Sequence, residues 1–196
     1  GKVYYIKKTN SSENEITIDG NGGETIDGVT TVVLYVQYDA IRILCDGSNW
    51  HIIADERVPH TCNLFRSTAQ TITNAAWNTI TLNAEDFDVG GIGDITTDNR
   101  IEIKRSGKYS VISQWTAQDI DDKEKSHIQV RVNGAAVITT YIFQSNTGTG
   151  DFLTTNASVI LDLSAGDYVD IQVFQQTGHI IDTRTAINDV PRLMIV

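Results

Sequence analysis

Short runs in which apolar and polar residues alternate recur along the chain, and this period of two is typical of β-strands with one buried face. The clearest runs are Ile128–Val132, Val159–Leu163 and Val169–Val173. No window carries the pattern of an amphipathic helix; the nearest, Thr73 to Trp77, is short and flanked by Thr and Asn. The pattern therefore predicts an all-β chain.

Glycine-containing turns separate these runs, as expected for hairpins and tight connections. Gly90 and Gly91 predict a bend between two strands, and Ala165-Gly166-Asp167 predicts a hairpin. We expect Gly166 to take a positive φ and Asp167 to bond its own turn. Gly107 is likewise expected to allow a sharp turn that points Tyr109 inward.

A domain boundary is predicted near Asp55–His60, a charged stretch that contains one of the two prolines and follows an apolar strand. Residues 1–57 would form a small β module and residues 58–196 a larger domain. A module of about 55 residues rarely buries enough surface to be robust alone. We therefore expect it to depend on its neighbour or on oligomerisation.

Some predicted strands carry apolar residues on both faces, among them Tyr109–Ile112. An outer sheet face that carries Ile112 or Phe174 would be covered most simply by a neighbouring subunit. Single exposed hydrophobic residues are also common on protein surfaces. The pattern alone leaves both interpretations open.

The amino-acid composition limits the classes of function that this chain could have. With 40% hydrophobic residues the chain can build a core, and its formal charge of −10 argues against a nucleic-acid partner. No apolar run approaches the ~20 residues of a membrane span, so we expect no membrane insertion. No signal peptide opens the chain and it lacks an initiator Met, so we expect a fragment or a processed product.

The two cysteines are too few for a disulfide framework. Cys45 continues the alternation of Ile41 and Ile43, which predicts a buried position on a strand. A bridge between Cys45 and Cys62 is the alternative. A zinc site is not expected, because no further Cys completes a ligand set.

The second half of the chain resembles the C1q/TNF-like family. The resemblance rests on Asn83–Asp88, Gly107–Val111 and Val130–Gly134, and most specifically on Ser158–Val169. It covers about residues 62–196 and implies a compact antiparallel jelly-roll sandwich that forms a homotrimer. Gly90–Asp94 is similar to the bacterial and phage branch of that family. The implied core or trimer positions are Tyr109, Val111, Trp115, Phe174 and Leu193.

One position departs from the family pattern. An aromatic residue usually follows Gly-x-Tyr-x in this family, and here Val111 takes that place. The packing of the trimer core is therefore expected to differ.

The first module resembles a small β module of phage tail-fibre and tail-spike proteins. Tyr5–Thr9, Ile16–Asp19, Gly23–Gly28 and Asp46–Trp50 carry the resemblance. Such a module often precedes a terminal receptor-binding domain. The combination implies a non-enzymatic, trimeric receptor-binding tip of a tail fibre, extracellular on the virion and joined to the fibre through its N-terminus.

Three loops are the expected contacts with a host cell-surface glycan or protein, because their polar side chains suit hydrogen bonding. They run from Asp119 to Lys125, from Asn146 to Asp151 and from Gln176 to Asp182. The candidate contact residues are Asp119, Asp121, Asp122, Lys123, Asn146, Thr147, Thr149, Gln176 and His179.

No cofactor is expected, although two acidic groups leave Ca²⁺ open. Asp119–Glu124 is acidic but lacks the Gly and Glu positions of an EF-hand loop. Asp86, Asp88 and Asp94 flank the glycine bend and carry oxygens that could ligate a cation.

Catalytic motifs are missing from the sequence. The four histidines are scattered, and neither Gly-x-Ser-x-Gly nor a P-loop occurs. His127 alternates with Gln129 and Arg131, which predicts an exposed strand position. Two alternative functions remain: a purely structural trimerisation or decoration module of a virion or bacterial surface protein, and a glycan-cleaving tail-spike domain.

Overall fold

The computed structural model describes residues 1–12, 14–121, 123–143, 151–186 and 188–196. Within these ranges the chain forms strands and no helix, which confirms the all-β prediction. None of the described elements is a helix able to span a membrane. The chain divides into two compact units, Gly1–Pro59 and His60–Val196, here called the N-terminal and C-terminal units.

The N-terminal unit contains a three-stranded antiparallel sheet, in the order β1-β4-β5, and a hairpin of β2 and β3. Its strands are β1 (Val3–Lys7), β2 (Ile16–Asp19), β3 (Thr31–Leu34), β4 (Ala40–Cys45) and β5 (Trp50–Asp55). Apolar side chains of β3 and β4, together with Ile26 from the connection between β2 and β3, form a separate small core, which consists of Ile26, Val32, Leu34, Ile41 and Ile43.

A buried carboxylate organises the end of this unit. Asp39 accepts backbone N–H bonds from Tyr35 at 2.8 Å and Val36 at 3.3 Å through one oxygen, and from Val58 at 2.7 Å through the other. A buried charge is tolerated where hydrogen bonds satisfy it. Asp39 therefore ties the segment after β5 back to the turn that follows β3.

The C-terminal unit is a sandwich of a six-stranded and a five-stranded antiparallel sheet, with one further two-stranded pair. Its strands are β6 (Thr61–Phe65), β7 (Thr71–Ile72), β8 (Trp77–Thr79), β9 (Ala84–Val89), β10 (Gly93–Asp94), β11 (Arg100–Glu102), β12 (Gly107–Ile120), β13 (Lys125–Val132), β14 (Ala135–Phe143), β15 (Asp151–Leu163), β16 (Tyr168–Gln176), β17 (Ile181–Asp182) and β18 (Arg192–Ile195). The six-stranded sheet has the order β10-β11-β16-β13-β14, with β8 also paired to β16. The five-stranded sheet has the order β15-β12-β18-β6-β9.

Alternate residues of the long strands fill the space between the two sheets. Val111 and Trp115 of β12 and Leu193 of β18 are fully buried there, as are Ile128 of β13 and Ile171 of β16. Tyr109 is also buried, and its hydroxyl donates to the Arg105 carbonyl at 2.7 Å. Apart from Phe174, the predicted core or trimer positions thus lie in the interior of one chain.

The glycine turns follow the expected chemistry in two of three cases. Gly90 and Gly91 have φ of 107° and 61°, and Gly166 has φ of 95°. Asp167 accepts the Ser164 N–H at 2.8 Å, so it bonds its own turn as predicted. Gly107 does not take a positive φ, because it is already the first residue of β12 and extends the ladder opposite Leu163.

Both cysteines are free thiols, so the alternative of a Cys45–Cys62 bridge is wrong. Cys62 is fully buried on β6. Cys45 is only half-buried, against the expectation from its alternation. It is the last residue of β4, and its Sγ accepts the N–H of Gly47 in the exposed turn that follows.

Candidate receptor-binding end and exposed faces

Strand directions give the C-terminal unit two distinct ends. Cys62, near the start of β6, lies opposite Ile195 at the end of β18, and Ile195 lies opposite Val111 near the start of β12. We call this the basal end. β12 runs away from it to Ile120, which lies opposite Asp151 at the start of β15. We call this second end the apical end.

The connections expected to contact a receptor begin or end at the apical end. Lys125 starts β13 there, opposite Phe143 at the end of β14 and Gln176 at the end of β16. The loop candidates that the structure describes therefore lie together, on the end remote from the start of the unit. Asp122, Asn146, Thr147 and Thr149 lie outside the described residues.

The acidic turn is shorter than the sequence predicts. β12 continues to Ile120, so exposed Asp119 belongs to that strand, at an irregularity where its φ is 56°. In the turn, Asp121 donates its backbone N–H to a Glu124 carboxylate oxygen at 2.6 Å. Lys123 is exposed with φ of 67°. The turn is thus closed by its own backbone and by Glu124.

The buried side chain of Gln175 holds the connection after β16 in place through hydrogen bonds. Its amide nitrogen donates to the carbonyls of Ile72 at 3.2 Å and His179 at 2.9 Å, and its oxygen accepts the N–H of Thr177 at 2.7 Å. Gln176 and His179 themselves are exposed. The sequence predicted a loop as far as Asp182, but Ile181–Asp182 forms β17 against β7.

Aromatic side chains form a continuous row on the outer face of the six-stranded sheet. Trp77 lies opposite Phe174, Phe174 opposite His127, and His127 opposite Tyr141. Their ring centroids are 5.6, 5.0 and 5.6 Å apart in that order. These spacings are typical of interacting aromatic pairs. We call these four residues the aromatic row.

The aromatic row corrects the expectation for His127. His127 is half-buried between two rings rather than exposed. Burial, and secondarily the charge of Lys125, lower the pKa of His127 below its ordinary value. Phe174 is half-buried, and its ring packs against those of Trp77 and His127 on the same chain.

A pocket of about 410 Å³ opens at the apical end of this face. It is lined by Lys125, His127, Tyr141, Ile142 and Phe143. Tyr141 is 72% exposed. We call it the Tyr141 pocket.

A polar row lies beside the aromatic row, one step nearer the basal end. Gln129 donates to the Gln172 side-chain oxygen at 2.7 Å, and Gln172 donates to Thr79 Oγ1 at 2.9 Å. The next step holds the Arg131–Asp170 ion pair, with N–O distances of 2.6 and 2.7 Å. These side-chain contacts link β8, β16 and β13 and support their register beside the aromatic row.

The outer face of the five-stranded sheet carries an apolar patch. Ile112 lies opposite Ser158 of β15, so Ile160, two residues further along, is its diagonal neighbour. Ile160 is 74% exposed and Ile112 is 36% exposed. Exposed Val196 exchanges two backbone hydrogen bonds with Ser110, and Ser110 also lies opposite Ile160. We call Ile112, Ile160 and Val196 the apolar patch.

The carboxylates around the glycine bend are held separately by protein groups. Asp88 accepts the backbone N–H groups of Ile92 and Gly93, and Asp86 contacts Arg192. Asp94 accepts three backbone N–H groups of its own turn, which lower its pKa. No group of three or more His, Cys, Asp or Glu side chains able to hold a metal occurs among the residues described.

The sequence reasoning missed Trp77 and Tyr141 as surface features. Tyr141 follows Thr140 in β14, which a two-residue period places on the opposite face from Thr140 and Ile142. That parity was a usable signal for exposure. The grouping of Tyr141 with Trp77 depends on the pairing of β8, β16, β13 and β14.

Comparison with known proteins identifies the fold. No protein-family model matches the chain, and no curated protein matches its sequence. The globular domain of zebrafish complement 1qA protein is similar in structure, with 13% identity, coverage of 70% of this chain and 96% of that one, and a TM-score of 0.50. Murine APRIL, from a crystal structure at pH 5.0, shows 9% identity, coverage of 69% and 97%, and a TM-score of 0.51.

At these identities the likeness concerns the fold alone. The chain is an all-β protein in which a C1q/TNF-like antiparallel jelly roll follows a small β unit. The fold predicted by the sequence resemblance is thereby confirmed.

Proposed function

We propose that this chain is the trimeric, non-enzymatic receptor-binding tip of a phage tail fibre. The N-terminal unit would act as the neck that joins the fibre, and the C-terminal unit would act as the head. The tip would stand on the outside of the virion and contact a host cell-surface glycan or protein.

The apolar patch is the main observation that supports a trimer. Ile160, Ile112 and Val196 are exposed although the C-terminal unit already has a complete core of its own. Exposed apolar groups that lie together on one surface commonly mark a protein–protein contact. The jelly-roll fold supports a second and third copy of this chain as the cover, because domains of the family that it resembles form compact trimers.

The arrangement of the two ends supports adhesion as the purpose of such a trimer. The C-terminal unit begins at its basal end, where the fibre would attach, and the candidate contact loops lie at the apical end. Three copies around one axis would present three sets of apical loops in the same direction. Repeated weak sites gain avidity, which suits adsorption to a cell surface.

The mass in solution, measured by light scattering, tests the trimer. We expect three chains for the wild type, with or without a chelator, because the described carboxylates of the glycine bend are held by protein groups. Ile160→Asp should lower the mass to one chain, since a charge would be buried in the contact. Ile180→Asp is the matched control, because Ile180 is also exposed but lies in the apical connection after β16.

Adsorption to bacterial cells tests the receptor-binding role on that trimer. Alanine substitutions of Gln176 and His179 should reduce adsorption while the mass stays at three chains. A structural trimerisation or decoration module shares the apolar patch, and would show an intact trimer whose adsorption ignores both substitutions. A monomeric wild type would contradict the proposed trimer, and with it the receptor-binding tip.

A further inference from the structure

The Tyr141 pocket is a concave site on two paired strands. Its volume of about 410 Å³ lies within the roughly 300–1,000 Å³ range of small-ligand sites. Lys125 and His127 come from β13, and Tyr141, Ile142 and Phe143 come from β14, so two hydrogen-bonded strands form the wall. Side chains on paired strands lose little freedom when a ligand binds.

Tyr141 offers an aromatic surface at this pocket. It is 72% exposed, yet its ring packs at 5.6 Å from His127, which packs in turn at 5.0 Å from Phe174. The aromatic row therefore supports Tyr141 from one side and leaves most of its surface accessible. An exposed ring held in this way suits the flat C–H face of a sugar, which combines apolar contact with outward-pointing hydroxyls.

The charge of the pocket is opposite to that of the chain. Among the described residues that line the pocket, Lys125 is the one charged side chain, although the chain as a whole carries −10. No carboxylate occurs among these described lining residues. The Lys125 ammonium therefore complements an anionic group held beside the Tyr141 ring.

Gln176 adds hydrogen-bonding capacity next to Lys125. The two residues lie opposite each other on β16 and β13, so their side chains project from the same face of the sheet. Gln176 is exposed and its amide can both donate and accept. Sugar hydroxyls require partners of this kind.

We propose that the Tyr141 pocket binds an acidic sugar residue of a cell-surface glycan. The sugar ring packs on Tyr141, its carboxylate pairs with Lys125, and its hydroxyls reach Gln176. This inference rests on the proposed receptor-binding function, and it places the contact partly on the outer face of the six-stranded sheet rather than on the loops alone.

A microarray of bacterial capsular and lipopolysaccharide glycans, probed with the purified chain, tests the chemistry of the ligand. Wild type should bind glycans that contain uronic or other carboxylated sugars, and binding should fall as salt rises. Reduction of the carboxyl groups of a bound glycan to alcohols keeps the sugar backbone and should abolish binding. Binding to neutral glycans only, or binding that survives carboxyl reduction, would overturn the proposal.

Variants of the two central residues test the geometry, with affinity measured by calorimetry on the strongest array glycan. Tyr141→Ala should weaken binding at least about tenfold, whereas Tyr141→Phe keeps the ring and should stay near the wild type. Lys125→Gln should also weaken binding about tenfold or more, and Lys125→Arg should retain it. Lys2→Gln is the charge-matched control, because exposed Lys2 lies in the N-terminal unit. Unchanged affinity of Tyr141→Ala and Lys125→Gln would overturn the site.

Cell adsorption separates this inference from the function on which it rests. If the wild type adsorbs to bacteria but binds no glycan on the array, the pocket assignment fails and a protein receptor remains. If it neither adsorbs nor binds glycans, the proposed function fails as well. If Tyr141→Ala changes the mass in solution, this face is a contact between copies, and the pocket assignment is overturned.

Discussion

Trp115 Nε1 donates a hydrogen bond of 2.7 Å to Ser126 Oγ in the interior of the C-terminal unit. The bond joins β12 of the five-stranded sheet to β13 of the six-stranded sheet. Thr155 of β15 donates its hydroxyl to the same Ser126 oxygen at 3.2 Å. One buried hydroxyl therefore satisfies two donors from the opposite sheet.

Ser126→Ala should destabilise the C-terminal unit by about 1–3 kcal/mol, because it leaves the buried Trp115 N–H without its acceptor. Chemical denaturation followed by tryptophan fluorescence measures the change. Ser164→Ala is the control, since Ser164 lies at an exposed turn, and a surface substitution there should change stability by less than about 0.5 kcal/mol. Equal stability of Ser126→Ala and wild type would show that the bond contributes nothing net.

Gly90→Ala should lower the free energy of unfolding more than Gly166→Ala, which only strains the backbone. A Cβ at Gly90 would lie 2.6 Å from the His60 ring, at a residue whose φ is already 107°. We expect a loss of about 1–3 kcal/mol from the backbone conformation, with the steric clash added to it. Gly166→Ala is the matched control, because Gly166 has φ of 95° and open space around its Cβ position. Equal losses in the two variants would mean that His60 yields without cost.

His127 should make the C-terminal unit lose stability in mild acid. Its pKa is lowered in the folded state by burial, so the unfolded chain binds the proton more readily. The stabilisation is present in full above the ordinary pKa of about 6.5, and it is lost as the pH falls through the folded value. His127→Phe keeps a ring in the aromatic row and should reduce this dependence. Hydrogen exchange in β13 and β16 between neutral and mildly acidic pH measures it.

For His51 in the N-terminal unit, we expect the opposite dependence of stability on pH. Asp46 accepts a bond of 2.8 Å from the His51 ring and raises the pKa of His51. Its stabilisation is therefore present below the ordinary pKa and is lost as the pH rises through the folded value. His51→Gln should abolish that trend in β4 and β5 and leave β13 and β16 unchanged. Identical pH trends in the two units would contradict both assignments.

The two thiols should differ in reactivity. Burial is the main cause that raises the pKa of Cys62, and the nearby Asp88 charge adds to it, whereas Cys45 is half-buried at the end of β4. Because the thiolate is the reacting form, iodoacetamide should label Cys45 in the native protein and Cys62 only after unfolding. Peptide mass spectrometry of the labelled chain distinguishes the two. Native labelling of Cys62 would indicate opening of β6 from its neighbours.

The grouping of the candidate contact residues was only partly predictable from sequence. Turn-forming and polar residues mark the connections that contain Asp121, Lys123 and His179, because such residues carry a local signal. Their meeting at one end depends on the antiparallel order of β12, β13 and β16. Local parity indicated only that Tyr141 is exposed; its meeting with Lys125 and His127 in one pocket depends on the pairing of β13 with β14.

The sequence by itself determined the all-β class, the inward residues of the long strands and the turn at Gly166. Each of these follows from a local property: a two-residue period, or the steric freedom of glycine. Tertiary structure alone decided that Trp77 would lie opposite Phe174 and that Trp115 would meet Ser126. Packing of the whole sandwich determines which strands that are distant along the chain pair with each other. Local periodicity does not specify which strands become neighbours.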